Sequence, residues 1–355
     1  MDSLTVALAA LGGVVLAGIV AHGAWTARKA DPKRGLATGR PMDFREPVLG
    51  DSARDGARDA AGESNAGDSA SFPLERKLPR RTPARIDALI DAIVVLNVDA
   101  PVSGEMLLAH LPPMRRAGSK PFLIEGLNAE TGEWEPPQAR QHYGEVQAGV
   151  QLANRGGALN EIEYSEFVQA IQPFCEAIGA MADVPDMLEV VARARELDTF
   201  ASQHDAQLAV HLHARSSPWS VAYIQQHAGR HGFVPGMVPG RLVLPSAEEG
   251  APPVLTLNFD SLKALDEHPQ QATVSDVTLS FDVPQTDPQA EPFIAWQASA
   301  TALSLGMDAA IVDDNGQPLS PQGFGVIGAE LTQLYTALEA RDLAAGSMAT
   351  RLLFS

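Results

Sequence analysis

Strict alternation of apolar and polar side chains marks two stretches of the chain as half-buried strands. Residues 277–283 read VTLSFDV and residues 207–213 read QLAVHLH, with a large apolar side chain at every second position. Successive side chains of a strand point to opposite faces, so each strand has one apolar and one polar face. We therefore expect an α+β fold, a split β-α-β antiparallel sheet with helices on one face, rather than a doubly wound sheet.

The same patterns predict further elements between residues 88 and 345. Compact β-branched or alternating runs predict strands, and apolar spacing near 3.6 residues with start and stop signals predicts helices. The predicted strands are 91–98, 121–127, 133–135, 149–154, 206–213, 241–244, 254–259, 274–283 and 308–312. The predicted helices are 103–111, 186–200, 218–230, 291–305 and 322–340.

The N-terminal segment has a different character. Residues 4–25 contain no Asp, Glu, Lys or Arg, and about 20 helical residues span a bilayer core of ~30 Å. Basic residues follow it, beginning at Arg28 and Lys29, which places the N-terminus in the periplasm and the rest of the chain in the cytoplasm. We expect residues 1–25 to form a single-pass anchor that contacts the lipid bilayer through residues 4–25. A cleaved signal peptide and a buried core helix are the alternatives.

Residues 26–87 are rich in Gly, Pro, Asp, Arg, Ala and Ser and contain two aromatic residues, Phe44 and Phe72. Such a segment buries too little apolar area to offset its chain entropy, so we expect a disordered linker. Beyond it we expect two units, at 88–203 and 204–345.

Composition excludes several classes of function. The formal net charge is −18, which argues against a nucleic-acid partner, because phosphate-backbone binding needs clustered basic side chains. The single cysteine, Cys175, forms no intramolecular disulfide and no Cys-rich zinc site. The sequence has no glycine-rich phosphate loop, nucleophile elbow or paired metal motif. His211 and His213 share one strand face and are interpreted as surface histidines. We therefore expect no cofactor, no small-molecule substrate and no enzymatic activity.

A family resemblance appears in residues 276–340. The strand ending at Val283-Pro284, the helix from Phe293 to Leu305 and the run AAIVDDNGQPLSPQ at 309–322 resemble the second half of the C-terminal domain of the cell-division protein ZipA. Residues 206–214 and PPVLTLNFD at 252–260 resemble its first half. Residues 91–203, with AIVVLNVDAPVSGEMLLAHLPPMRRAG, resemble a second, degenerate copy. We expect two tandem ZipA-like units; one large elaborated domain is the alternative.

The resemblance implies a binding function. ZipA-like domains bind the C-terminal tail of the tubulin-like division protein FtsZ across the helix-free face of the sheet. In the C-terminal copy the corresponding positions are polar or small: Ala209, Thr256, Asn258 and Ser280, beside Gln207. In the N-terminal copy they are Ile93 and Val95, joined by Phe122 on the next strand. Burial of Ile93 and Val95 between the two copies is the alternative interpretation.

The resemblance therefore implies a membrane-anchored adaptor of the bacterial divisome that tethers FtsZ filaments to the inner membrane. Two alternatives remain open. One is a tethered interaction module on the same fold with a different partner, and the other is a membrane-anchored enzyme with an unrecognised active site.

Overall fold

The computed structural model describes residues 85–265 and 273–355. They form a mixed α+β fold with antiparallel sheets and, within these ranges, eight α-helices. The predicted anchor at residues 4–25 and most of the predicted linker lie outside the described residues. In the part of the chain that is described, no helix is both long and apolar enough to cross a bilayer.

The first half of the described chain holds one large sheet, one two-stranded sheet and three helices. Its elements are β1 (Asp91–Asn97), β2 (Val102–Ser103), α1 (Gly104–His110), β3 (Arg116–Ala117), β4 (Lys120–Asn128), β5 (Trp134–Glu135), β6 (His142–Gln151), β7 (Ala153–Asn154), β8 (Gly157–Ala158), α2 (Glu161–Ile178), β9 (Met181–Asp183) and α3 (Met187–His204).

The second half holds the other large sheet and the remaining helices. Its elements are β10 (Gln207–Ala214), β11 (Trp219–Ser220), α4 (Val221–Gly229), β12 (Val234–Pro235), β13 (Arg241–Leu244), β14 (Leu255–Asn258), α5 (Ser261–Ala264), β15 (Thr273–Val274), β16 (Asp276–Asp282), a 3-10 turn (Pro288–Ala290), α6 (Pro292–Met307), β17 (Ala309–Val312), α7 (Pro321–Glu339) and α8 (Met348–Leu353).

The two sheets repeat one strand order. The first runs β3-β4-β6-β1-β9, with β2 added to β6 and β5 to β4, and the second runs β12-β13-β14-β16-β10-β17. The order β4-β6-β1-β9 thus corresponds to β14-β16-β10-β17. In both halves a helix follows the first long strand, and a longer helix, α2 or α6, connects the third long strand to the edge strand.

Each sheet is covered by helices on one face, and each has its own hydrophobic core. In the first core Phe122 of β4 packs edge-to-face on Phe167 of α2, with ring centroids 5.3 Å apart. In the second core the indole N–H of Trp296 on α6 donates to the carbonyl of Leu279 on β16 at 3.0 Å. In the part of the chain that the structure describes, the long helices share the core on one face of each sheet, as the alternation in the sequence predicted.

Helix α2 was not predicted, although its ends carry clear signals. Asn160 and Glu163 form a reciprocal capping box at the N-terminus. Gly179 ends the helix in the left-handed region at φ 68° and donates its backbone N–H to the carbonyls of the last turn. Pro173 lies inside the helix, and its position is contrary to ordinary helix propensity.

The C-terminal segment packs into the first core. Leu338 and Leu343 lie within residues 204–345, the predicted second unit, and Leu353 and Phe354 follow that range, yet all four are buried in the first core. The side-chain amide of Gln151 on β6 also donates to the carbonyl of Leu352 at 2.8 Å. The chain therefore returns from the second sheet to complete the core of the first.

An arginine joins the two halves at their junction. Arg155, in the turn between β7 and β8, pairs with Asp205 after α3 and with Asp282 at the end of β16, each at 2.6 Å. Burial alone lowers the pKa of Arg155, but the two carboxylates outweigh it and raise that pKa. The guanidinium thus remains charged and holds the first half, the connection and the second sheet together.

Candidate functional site

The helix-free face of the first sheet is defined by cross-strand rows of side chains from β4, β6 and β1. One row is Leu123–Gly149–Ile93, and the next is Glu125–Gln147–Val95, which continues to Asp183 on β9. We call these residues the first open face. The row through Gly149 is apolar, and the row through Gln147 has a carboxylate at each end, on Glu125 and Asp183.

Two of the three sequence-predicted residues of the N-terminal copy lie on this face. Val95 is 40% exposed and Ile93 is half-buried. Val95 is therefore not sealed between the two halves, contrary to the alternative interpretation. Phe122 is a correction: it is 1% exposed and lies opposite Val150 on the helix side of the sheet, so it is unable to contact a partner on the open face.

Residues 85–87, which were assigned to the linker, lie across the first open face. A β-carbon added to Gly149 would come within 2.6 Å of the Ile86 side chain, so the glycine provides the space in which Ile86 packs. The backbone N–H of Ile86 donates to Oε1 of Glu125 at 3.2 Å. The guanidinium of Arg85 donates to the carbonyl of Trp134.

A cavity of about 450 Å³ opens beside this segment. It is bounded by the sheet and the 85–87 segment on one side and by the start of α8 on the other. Its walls include Arg85, Ile86, Glu125, Trp134, Gln147 and Met348. The site therefore combines an exposed apolar surface with a pocket large enough for a long side chain.

Glu125 is the most deeply buried charged residue of the first open face. It is 1% exposed, and its second carboxylate oxygen accepts from the side-chain amide of Gln147 at 3.2 Å. Both donors to Glu125 are neutral, and within residues 85–265 and 273–355 no Lys, Arg or His forms an ion pair with it. A buried carboxylate without a cation is costly, because desolvation is not compensated by an opposite charge.

Asp91, at the start of β1, is a second buried carboxyl group on this side of the sheet. It is 7% exposed, and its Oδ2 accepts from the backbone N–H of Asp87 at 2.9 Å. Burial, assisted by the negative charges of Asp87 and Glu125, raises the pKa of Asp91 to about 7, although the hydrogen bond from Asp87 lowers it. Its direct cross-strand neighbour is Gln151, whose Oε1 is buried and has no hydrogen-bond partner among the described residues.

The corresponding face of the second sheet is polar and closely packed. Ala209 pairs with Ser280, and Ser280 with Thr256, in one row across β10, β16 and β14, while Asn258 lies opposite Thr278 in the next. Ser280 is 2% exposed, Thr256 is also buried, and Ala209 and Asn258 are half-buried. All four lie on the predicted face, but they present little apolar surface to a partner.

The same polar face carries a short hydrogen-bonded chain. Nδ1 of His211 is 3.1 Å from the hydroxyl of Thr278, and Nε2 is 3.0 Å from a carboxylate oxygen of Asp314. His213 lies 3.5 Å from Asp276. Among the described residues, no cluster of three or more His, Cys, Asp or Glu side chains is arranged to hold a metal ion.

Leu123, Glu125, Gln147 and Asp183 belong to the site but were not predicted from the sequence. The missing information is the strand pairing: Glu125 and Gln147 align with Val95 only because β6 begins before residue 149, and Asp183 faces Val95 from β9, which was not predicted. The predicted strand at 149–154 was too short to show this alignment.

Comparisons with known proteins add no family assignment. No protein-family model and no curated protein sequence matches the chain. Among solved structures, berberine bridge enzyme from Eschscholzia californica, in its monoclinic crystal form, is 11% identical over 74% of this chain and 55% of that chain. Its TM-score of 0.15 is too low to support any argument about fold or function.

Proposed function

We propose that this chain is a membrane-anchored adaptor that binds the C-terminal tail of FtsZ on the first open face and tethers FtsZ filaments to the bacterial inner membrane. In this proposal residues 4–25 form the anchor with a periplasmic N-terminus, and residues 26–84 form the tether. The two described halves are then tandem ZipA-like units in the cytoplasm. A partner other than FtsZ, bound on the same face, is the alternative.

The observation that carries the proposal is the contrast between the two helix-free faces. The first presents Ile93, Val95 and Leu123 beside a cavity, whereas the row at the centre of the second consists of Ala209, Ser280 and Thr256. Shallow peptide grooves gain their binding energy from apolar burial, at ~25 cal/mol per Å². The first face has such a surface and the second has little of it.

The repeated strand order supports the tandem arrangement. If both halves descend from one peptide-binding unit, only one needs to keep an apolar groove. The polar face of the second half then becomes a structural surface that joins the two halves through Asp282 and Arg155.

Binding of a labelled FtsZ C-terminal peptide to the full-length chain in detergent, measured by fluorescence anisotropy, tests this proposal. Val95→Asp places a carboxylate where the peptide buries it, so we expect at least a tenfold loss of affinity. Because Val95 is well exposed, the melting temperature should change little. Ile93→Asp should also lose binding but should lower the melting temperature, since Ile93 is half-buried.

Ala209→Asp is the matched control, because it places the same charge at a half-buried open-face position of the second sheet. Affinity should be unchanged in a variant that stays folded. Retention of binding by both first-face variants, with loss in Ala209→Asp, would move the site to the second sheet. Absence of binding by the unaltered chain would reject FtsZ as the partner.

The proposed topology has its own test. A cytoplasmic reporter fused after residue 45 should be active and a periplasmic reporter at the same point should be silent, because basic residues follow the apolar segment. The reverse pattern would remove FtsZ as a partner, since FtsZ is cytoplasmic.

A further inference from the structure

The charged strand residues of the first open face are acidic. Its strand residues include the carboxylates of Glu125 and Asp183, and the neighbouring open-face position on β6 is Glu145. Along the helix-free side of β1, β4, β6 and β9, the paired described positions contain no Lys or Arg. The second sheet differs, because Arg241 lies on its helix-free side and donates to Thr256.

Arg85 is the basic residue among the described walls of the cavity, and it does not neutralise Glu125. Its guanidinium is bonded to the carbonyl of Trp134, and it forms no ion pair with Glu125. Glu125 is thus a carboxylate at the wall of a 450 Å³ cavity, held by one backbone N–H and one amide and lacking a cation among the described residues. A cation on a bound partner would compensate the desolvation of the Glu125 carboxylate. The site is poorly solvated, and charge-assisted hydrogen bonds are strongest in such places.

We infer that the first open face selects an apolar peptide segment that also carries a basic side chain, and that Glu125 is the residue that pairs with this Lys or Arg. The apolar part of the segment lies along Ile93 and Val95, and the basic side chain enters the cavity between the 85–87 segment and α8. This inference rests on the proposed function and adds the charge that the bound segment must have.

The test compares two probes on the full-length chain: the FtsZ C-terminal peptide, and the same peptide with every Lys and Arg changed to Gln. At 150 mM salt the unaltered chain should bind the unmodified peptide at least tenfold more tightly. Glu125→Gln keeps the shape of the side chain and removes its charge, so the preference should fall below threefold. Asp276→Asn removes an exposed charge from the second sheet and should keep the full preference.

The outcomes separate this inference from the proposed function. Equal affinity of the two peptides for the unaltered chain overturns the inference and leaves FtsZ binding standing, and this comparison needs no variant to fold. A preference that persists in a folded Glu125→Gln variant also overturns it, because another group must then pair with the cation. Absence of binding by both peptides overturns the proposed function and this inference together.

Discussion

The buried carboxyl group of Asp91 makes the stability of the first sheet depend on pH. Its pKa is about 7 in the folded chain, against an ordinary value of 3.8. Between these values the folded state binds more protons than the unfolded state, so the free energy of unfolding falls as pH rises. One pKa unit corresponds to about 1.4 kcal/mol. The titration of Asp91 alone should therefore lower the free energy of unfolding by about 2–3 kcal/mol between pH 5 and pH 8.

Asp91→Asn removes the titration while keeping a carbonyl oxygen that accepts from the N–H of Asp87. Its advantage in unfolding free energy over the unaltered chain should therefore grow by about 2–3 kcal/mol from pH 5 to pH 8. Urea denaturation followed by circular dichroism at four pH values measures this difference. The contributions of the other titrating groups are the same in both proteins and cancel in the comparison. The exposed carboxylate of Asp183, changed to Asn, controls for the loss of one negative charge.

Parallel curves of stability against pH for Asp91→Asn and the unaltered chain would refute the reasoning. They would show that the carboxylate of Asp91 is solvated in the folded protein, whatever its place in β1.

Three further substitutions test the packing around the site. Arg155→Ala should lower the free energy of unfolding by about 1–3 kcal/mol, because Asp282 loses its cation; an unchanged urea midpoint would contradict this. Phe354→Ala should cost about 3–5 kcal/mol and speed amide exchange in β1 and β6, whereas the exposed Leu305→Ala should change neither. Gly149→Ala should displace Ile86 and speed tryptic cleavage after Arg85 several-fold; an unchanged rate would argue against that contact.

The local pattern of the sequence was sufficient for most strands and for the facing of the second sheet. Residues 241–244 were predicted with the observed bounds, and the alternation in 277–283 gave the correct helix side. The run at 120–128, KPFLIEGLN, has adjacent apolar residues at 122–124 and therefore does not show its own phase. The predicted position of Phe122 on the open face was wrong for that reason, because only the pairing with β6 determines which face of the sheet each residue of this strand occupies.

Long-range pairings account for what the sequence did not predict. Arg155 and Asp282 are 127 positions apart, and Gln151 and Leu352 are 201 positions apart. No local spacing relates such residues. The apolar residues near the end of the chain occur in short runs without a helical or strand period, so the sequence does not show which of the two cores they join. Helix α2 was missed because Pro173 and an apolar middle obscured the capping box at Asn160 and Glu163.

The return of the C-terminal segment to the first core has a consequence for synthesis on the ribosome. The first sheet emerges early, but Leu338 and Phe354, which complete its core, are translated only after the second sheet. At ~5–20 residues per second, roughly 7–30 s separate Ala201 from these residues. During that interval the nascent first half exposes apolar surface to chaperones, so truncation near residue 340 should yield a protein that aggregates although both sheets are encoded.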